Sequence, residues 1–114
     1  MELPEKLINM IEAEGFTVSQ ADENVYEFSK FSPADHDFSF CVDAEDDLEL
    51  FRDNIIELHQ SFDPSYEAYL WLDDTGHGKN GAPYDMKDVY EDMEACQEYI
   101  YDLQAIVGKY LCNS

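Results

Sequence analysis

Residues 25–43, VYEFSKFSPADHDFSFCVD, decide the fold. Tyr26 and Phe28 alternate with polar neighbours. After a loop at Ser32-Pro33-Ala34-Asp35 the same period of two returns in Phe38, Phe40 and Val42. That period puts all five side chains on one side of a pleated surface. Upstream, Phe16-Thr17-Val18 is a β-prone start and Asp22-Glu23-Asn24 a turn, so three short antiparallel strands with one aromatic face are expected. Such a face is stable only beneath a helical cover, and the sequence on either side changes to helical spacing.

Before the strands, Leu3, Leu7, Ile8 and Ile11 mark a short amphipathic helix over residues 3–14, with Pro4 suited to its first turn and Gly15 to its stop. After them, Leu48, Phe51, Ile55, Leu58 and Phe62 form one apolar stripe. Asp63-Pro64 restarts a helix, as N-cap and first helical residue. That helix carries Tyr66, Tyr69, Leu70 and Leu72, with Trp71 beside them, and ends before the loop GHGKNGAP at 76–83. Asp85 then caps the longest element, in which Met86, Val89, Met93, Cys96, Ile100, Leu103, Val107 and Tyr110 alternate in steps of three and four. This heptad-like seam can pack inside the domain or pair two copies; the aromatic sheet's need for a cover favours the first. The expected fold is α+β: an N-terminal helix, a three-stranded antiparallel sheet, then three helices covering one face. It forms a single acidic domain over 1–114, the usual size for one core.

Across the 114 residues there are 27 Asp or Glu against 6 Lys or Arg, a formal charge of −21. Self-repulsion of that size opposes compaction. Acidic disordered segments are poor in apolar residues, whereas 45% of this chain is hydrophobic, with 7 Phe, 8 Tyr and 1 Trp. The chain folds in spite of its charge, which points to a positively charged partner. Nucleic acids and anionic membranes, both bound through Lys and Arg, are repelled by such a surface and are not expected as direct partners unless a multivalent cation intervenes. No stretch approaches the roughly 20 apolar residues of a membrane span. The start, MELPEKLINMIEAEG, has no basic leader followed by an apolar run, and Cys41, Cys96 and Cys112 are odd in number and widely spaced. Reduced thiols in a cytoplasmic protein are the expectation.

The acids are grouped. Asp43, Glu45, Asp46, Asp47, Glu49, Asp53 and Glu57 crowd the second helix and its lead-in, with Arg52 alone opposing them. Asp85, Asp88, Glu91, Asp92, Glu94, Glu98 and Asp102 do the same on the long helix, beside a single Lys87. Repeats of three and four residues put carboxylates roughly 5–6 Å apart along a helix face. Like charges so placed cost a few tenths of a kcal/mol per pair. A purely solvating face normally mixes signs, so the arrangement favours a partner. Two such faces side by side would imitate a short stretch of the duplex field, one charge per about 1.7 Å. Tyr101, expected to point away from the seam, is the candidate interface anchor.

Several motifs resemble chemistry and lack its context. Gly76-His77-Gly78-Lys79-Asn80-Gly81 spells G-x-G-x-x-G, but a helix rather than a strand precedes it and the next helix starts too late for a phosphate site. Counted from Asp73 as an EF-hand, it puts Lys79 and Tyr84 where oxygen ligands are required. His36 has no second His or Cys at ligand spacing, His59 lies on the polar side of the second helix, and the cysteines read as small buried hydrophobes. No catalytic residue, dedicated metal site or cofactor is expected, only weak divalent-cation binding to the acidic clusters, and the chain does not read as an enzyme.

From Ser61-Phe62-Asp63-Pro64 through Trp71, the Gly-Lys-Asn-Gly-Ala-Pro loop and the acidic helix with Ile100 and Leu103, the chain resembles small acidic proteins on phages and conjugative elements of gut Firmicutes. The likeness covers about residues 61–107. It implies a mobile-element setting in which antirestriction and anti-CRISPR proteins, several of them DNA mimics, are carried; it brings no catalytic residues. The function expected is a DNA-mimicking inhibitor that binds the nucleic-acid surface of a host defence nuclease through Asp46, Asp47, Glu49, Asp53, Asp85, Asp88, Glu91, Asp92, Glu94, Glu98, Tyr101 and Asp102. The alternative is an interaction or regulatory module without mimicry, held through the heptad seam, with a homodimer as one form of it.

Overall fold

The computed structural model describes residues 2–33, 37–70 and 86–112. The sequence readings at His36, Trp71, Leu72, the 76–81 glycines and Asp85 lie outside the described residues, as do the side chains of Tyr69, Leu70 and Met86. The order is α1 (Glu5–Ala13), β1 (Thr17–Gln20), β2 (Val25–Phe31), β3 (Asp37–Asp43), α2 (Leu48–Ser61), α3 (Pro64–Leu70) and α4 (Met86–Cys112). This is the expected α+β order. α1 starts at Glu5 rather than residue 3, with Pro4 at the N-cap place and its carbonyl accepting from Ile8 N–H at 3.0 Å. Leu3 is buried all the same, and its N–H donates to the Tyr26 hydroxyl at 3.1 Å, tying the chain's start to the sheet. At the other end of α1, Gly15 takes φ +99, a conformation that suits glycine.

The strands form an antiparallel sheet in the order β1-β2-β3. Val18, Phe28 and Phe40 share one row across it, Tyr26 and Val42 a second, Lys30 and Phe38 a third. These side chains face the core. Ser19, Glu27 and Cys41, and Thr17, Ser29 and Ser39, form rows on the open face. The aromatic side is a connected cluster. Phe28 lies 5.8 Å from Phe40 and 6.0 Å from Phe51, and Phe38 meets Phe62 edge-on at 5.8 Å, separations at which rings attract. Phe51 and Phe62 thus dock α2 onto the sheet.

Lys30 belongs to the core face by register, yet its charge escapes. Its Nζ donates to the Glu14 carbonyl at 2.8 Å at the end of α1, and lies 4.5 Å from the Tyr99 ring centroid and 5.2 Å from that of Phe16. The stem lies on apolar surface while the ammonium meets two ring faces and a helix C-terminus.

α4 packs against α1, α2 and α3, and Val89, Met93, Cys96, Ile100, Leu103 and Val107 along it are fully buried. From Val89 to Val107 the heptad-like seam is therefore packed inside the domain. Among the described side chains of α3, Ala68 is buried while Tyr66 is 59% exposed.

Candidate interaction surface

Asp47 caps α2, its Oδ1 accepting from Glu49 N–H at 2.8 Å. From that cap, Glu49, Asp53 and Glu57 recur every four residues on the outer side of α2, and all are exposed. On α4 the row opposite the buried seam is Lys87, Glu91, Glu94, Glu98, Tyr101, Ala105 and Lys109, again all exposed. Between Asp88 and Asp102 the helix contains no Lys or Arg. Asp46, Asp47 and Asp88 are exposed at the ends of these runs.

The relation between the two runs differs from the expected side-by-side arrangement. His59 of α2 packs on Tyr101 of α4 at 5.7 Å, and Gln97 Nε2 donates to the Phe62 carbonyl at 3.3 Å. Position rises on one helix as it falls on the other, so the pair is antiparallel with residue 59 level with 101 and 62 with 97. The α2 acids therefore stand beside the C-terminal half of α4, and the α4 acids beside α3. The two runs are staggered end to end, with His59 and Tyr101 at the junction. Asp88, Glu91, Glu94, Glu98, Glu57, Asp53, Glu49, Asp47 and Asp46 then span roughly 40 Å at about 1.5 Å per residue. One carboxylate per roughly 5 Å is nearer the 3.4 Å per phosphate of one strand than the 1.7 Å of a duplex.

Two of the candidate residues leave this surface. Asp92 is only 5% exposed, and Ser32 Oγ donates to its Oδ2 at 2.6 Å. It joins the end of β2 to α4 and is a structural residue; the expectation that it meets a partner is corrected. The spacing contained the signal, since Asp92 follows Val89 by three and precedes Cys96 by four, on the seam's own row. Asp102 is half-buried on the flank of α4. Burial raises its pKa above the ordinary value, Lys30 opposes that, and the carboxylates of Glu98 and Glu14 add to it. Tyr101 does point outward, 48% exposed, but against His59 rather than among carboxylates alone.

Nearby, Tyr99 donates its hydroxyl to the Phe31 carbonyl at 3.0 Å, and its pKa is raised by burial and then by neighbouring negative groups. The Cys96 thiol is pushed up to about 12 by burial and then by Asp92 and Glu67. Among the described residues no cluster of three or more His, Cys, Asp or Glu side chains is arranged to hold a metal, and no helix is long and apolar enough to cross a membrane. No family model, no curated protein and no solved structure matches the chain.

Proposed function

We propose that the protein is an inhibitor that occupies the cationic nucleic-acid groove of another protein, a cytoplasmic host defence nuclease such as a CRISPR effector or restriction enzyme. The observation that carries this is the staggered acidic line along the outer sides of α2 and α4, unbroken by a cation from Asp88 to Glu98 on α4. Its charge spacing suits a groove that tracks one phosphate strand better than one that clasps a duplex. Complementary fields speed encounter, while Tyr101 on His59 offers an aromatic surface at the middle of the line. Grooves for single strands combine positive charge with stacking side chains, so both halves of this surface have a counterpart there. The inhibitor performs no chemical step and requires no cofactor.

The test is displacement. Purified nucleases of both classes are loaded with fluorescein-labelled single-stranded or duplex DNA, and anisotropy and cleavage are followed as the protein is added. Displacement of the labelled strand is expected, steeply weakened by salt. The triple variant Glu91→Gln, Glu94→Gln, Glu98→Gln should compete at least about tenfold less well, equivalent to about 1.4 kcal/mol. Unchanged DNA binding and cleavage across the panel, at any salt, would end the proposal.

A further inference from the structure

Among the described residues, one edge of the sheet pairs with no further strand and lies beside a groove. Ala44 N–H donates to the Asn24 carbonyl at 2.7 Å, and bonding alternates along an antiparallel pair. Val42 with Tyr26, Phe40 with Phe28 and Phe38 with Lys30 are therefore the pairs that exchange bonds. Ser39 and Cys41 turn their N–H and C=O groups the other way, and β3 ends the sheet. The next carbonyl in that outward set, Asp43, accepts from Asn54 Nδ2 of α2 at 2.9 Å, so the edge does receive a hydrogen bond where a donor reaches it. Between β3 and α2 runs a groove of about 480 Å³, lined among others by Cys41, Asp43, Glu45, Asn54, Glu57 and Leu58. Its charged side chains are all carboxylates.

We infer that β3 is a docking strand for an extended peptide segment carrying Lys or Arg, which adds a fourth strand along Ser39 and Cys41 and lays a basic side chain into the groove beside Glu45 and Glu57. Strand addition draws affinity from main-chain bonds and specificity from alternate side chains, and this edge provides a place for both. An unblocked edge is ordinarily a liability that proteins cover or interrupt. β1, the opposite edge, is four residues long and has α1 against it. A second copy of this chain is the wrong occupant, because edge-to-edge pairing would bring two carboxylate-lined grooves together, and like charges across paired strands repel. The inference shares Glu57 with the helix-face proposal but rests on the backbone of β3 and on Ser39, which that proposal does not use.

The probe is a fluorescein-labelled peptide alternating Lys and Val, with a Glu–Val peptide as control. Anisotropy should show saturable binding of the first and none of the second, and amide hydrogen exchange at Ser39 and Cys41 should slow when the peptide binds. Ser39→Pro removes an outward N–H at an edge position where proline is tolerated; it and Glu57→Lys should each weaken binding about tenfold. The triple Gln variant on α4 should leave it unchanged. Absence of saturable binding, or binding that leaves the Ser39 and Cys41 amides exchanging at their free rate, overturns the inference. So does peptide-free dimerisation in sedimentation that Ser39→Pro abolishes, since the occupant would then be a second copy. If Ser39→Pro fails to fold, exchange in the unmodified protein decides alone.

Discussion

Asp102 stands among Lys30, Glu98 and Glu14, and its raised pKa records a balance in which burial outweighs the lysine. An acid whose pKa is raised on folding binds more protons folded than unfolded over the window just above its ordinary value. Stability contributed by the protonated form is complete below 3.8 and is lost as pH climbs through that window to the raised value. Asp102→Asn should therefore melt at or above the parent's temperature at pH 7, and the advantage should vanish near the ordinary carboxylate range. A variant that melts lower at neutral pH would show that the Lys30 contact dominates. The three thiols provide a second check. Cys41 and Cys112 are exposed, whereas Cys96 is buried and pushed up to about 12, leaving almost no thiolate, the reactive form, at neutral pH. Two thiols should react promptly with a disulfide reagent at pH 8 and the third only on unfolding; prompt reaction of all three would place Cys96 on an open surface.

At the scale of elements, capping and packing can be separated. Asp47→Ala removes the oxygen that accepts from Glu49 N–H and should cost about 1 kcal/mol. Phe51→Ala empties the contact between α2 and Phe28 and should cost roughly 3–5 kcal/mol. Urea unfolding of both variants checks the ratio; near-equal losses would mean that α2 is not held by its aromatic face. These elements were legible in the sequence because each is written in a local period. Period two gave the strands, the three-four spacing gave α2 and α4, and Gly15 and Asp63 marked helix ends, whereas the cap at Asp47 emerged only in the structure. Asp92 is legible too, because it lies at helical spacing both from Asp88 and from the seam residues Val89 and Cys96, and burial decides between the two rows. What no local period carries is the register of one helix against another. The stagger of the two acidic runs rests on His59 meeting Tyr101, a contact made by folding, and so does the groove beside β3.

The whole molecule measures 49 × 25 × 22 Å and carries −21 charges. Salt should therefore act on it with two opposite signs. At low ionic strength the carboxylates of α2 and α4, about one turn apart, repel across distances shorter than the Debye length, which is roughly 14 Å at ~0.05 M and roughly 4 Å at ~0.5 M. Screening relieves each like-charge pair by a few tenths of a kcal/mol. Summed over the acidic line this reaches roughly 1–2 kcal/mol, enough to move the melting temperature of a domain this size upward by several degrees. The same screening weakens any complex with a cationic groove, because there the carboxylates attract. A sodium chloride titration should raise the Tm of the free protein while lowering its affinity for the target, and the triple Gln variant on α4 should show a smaller slope in both. A free protein whose Tm stays flat would mean that its carboxylates are too far apart to feel one another. It could not then present the dense one-signed line on which groove occupancy depends, and a complex that tolerated the same salt would have to be held by apolar contact instead.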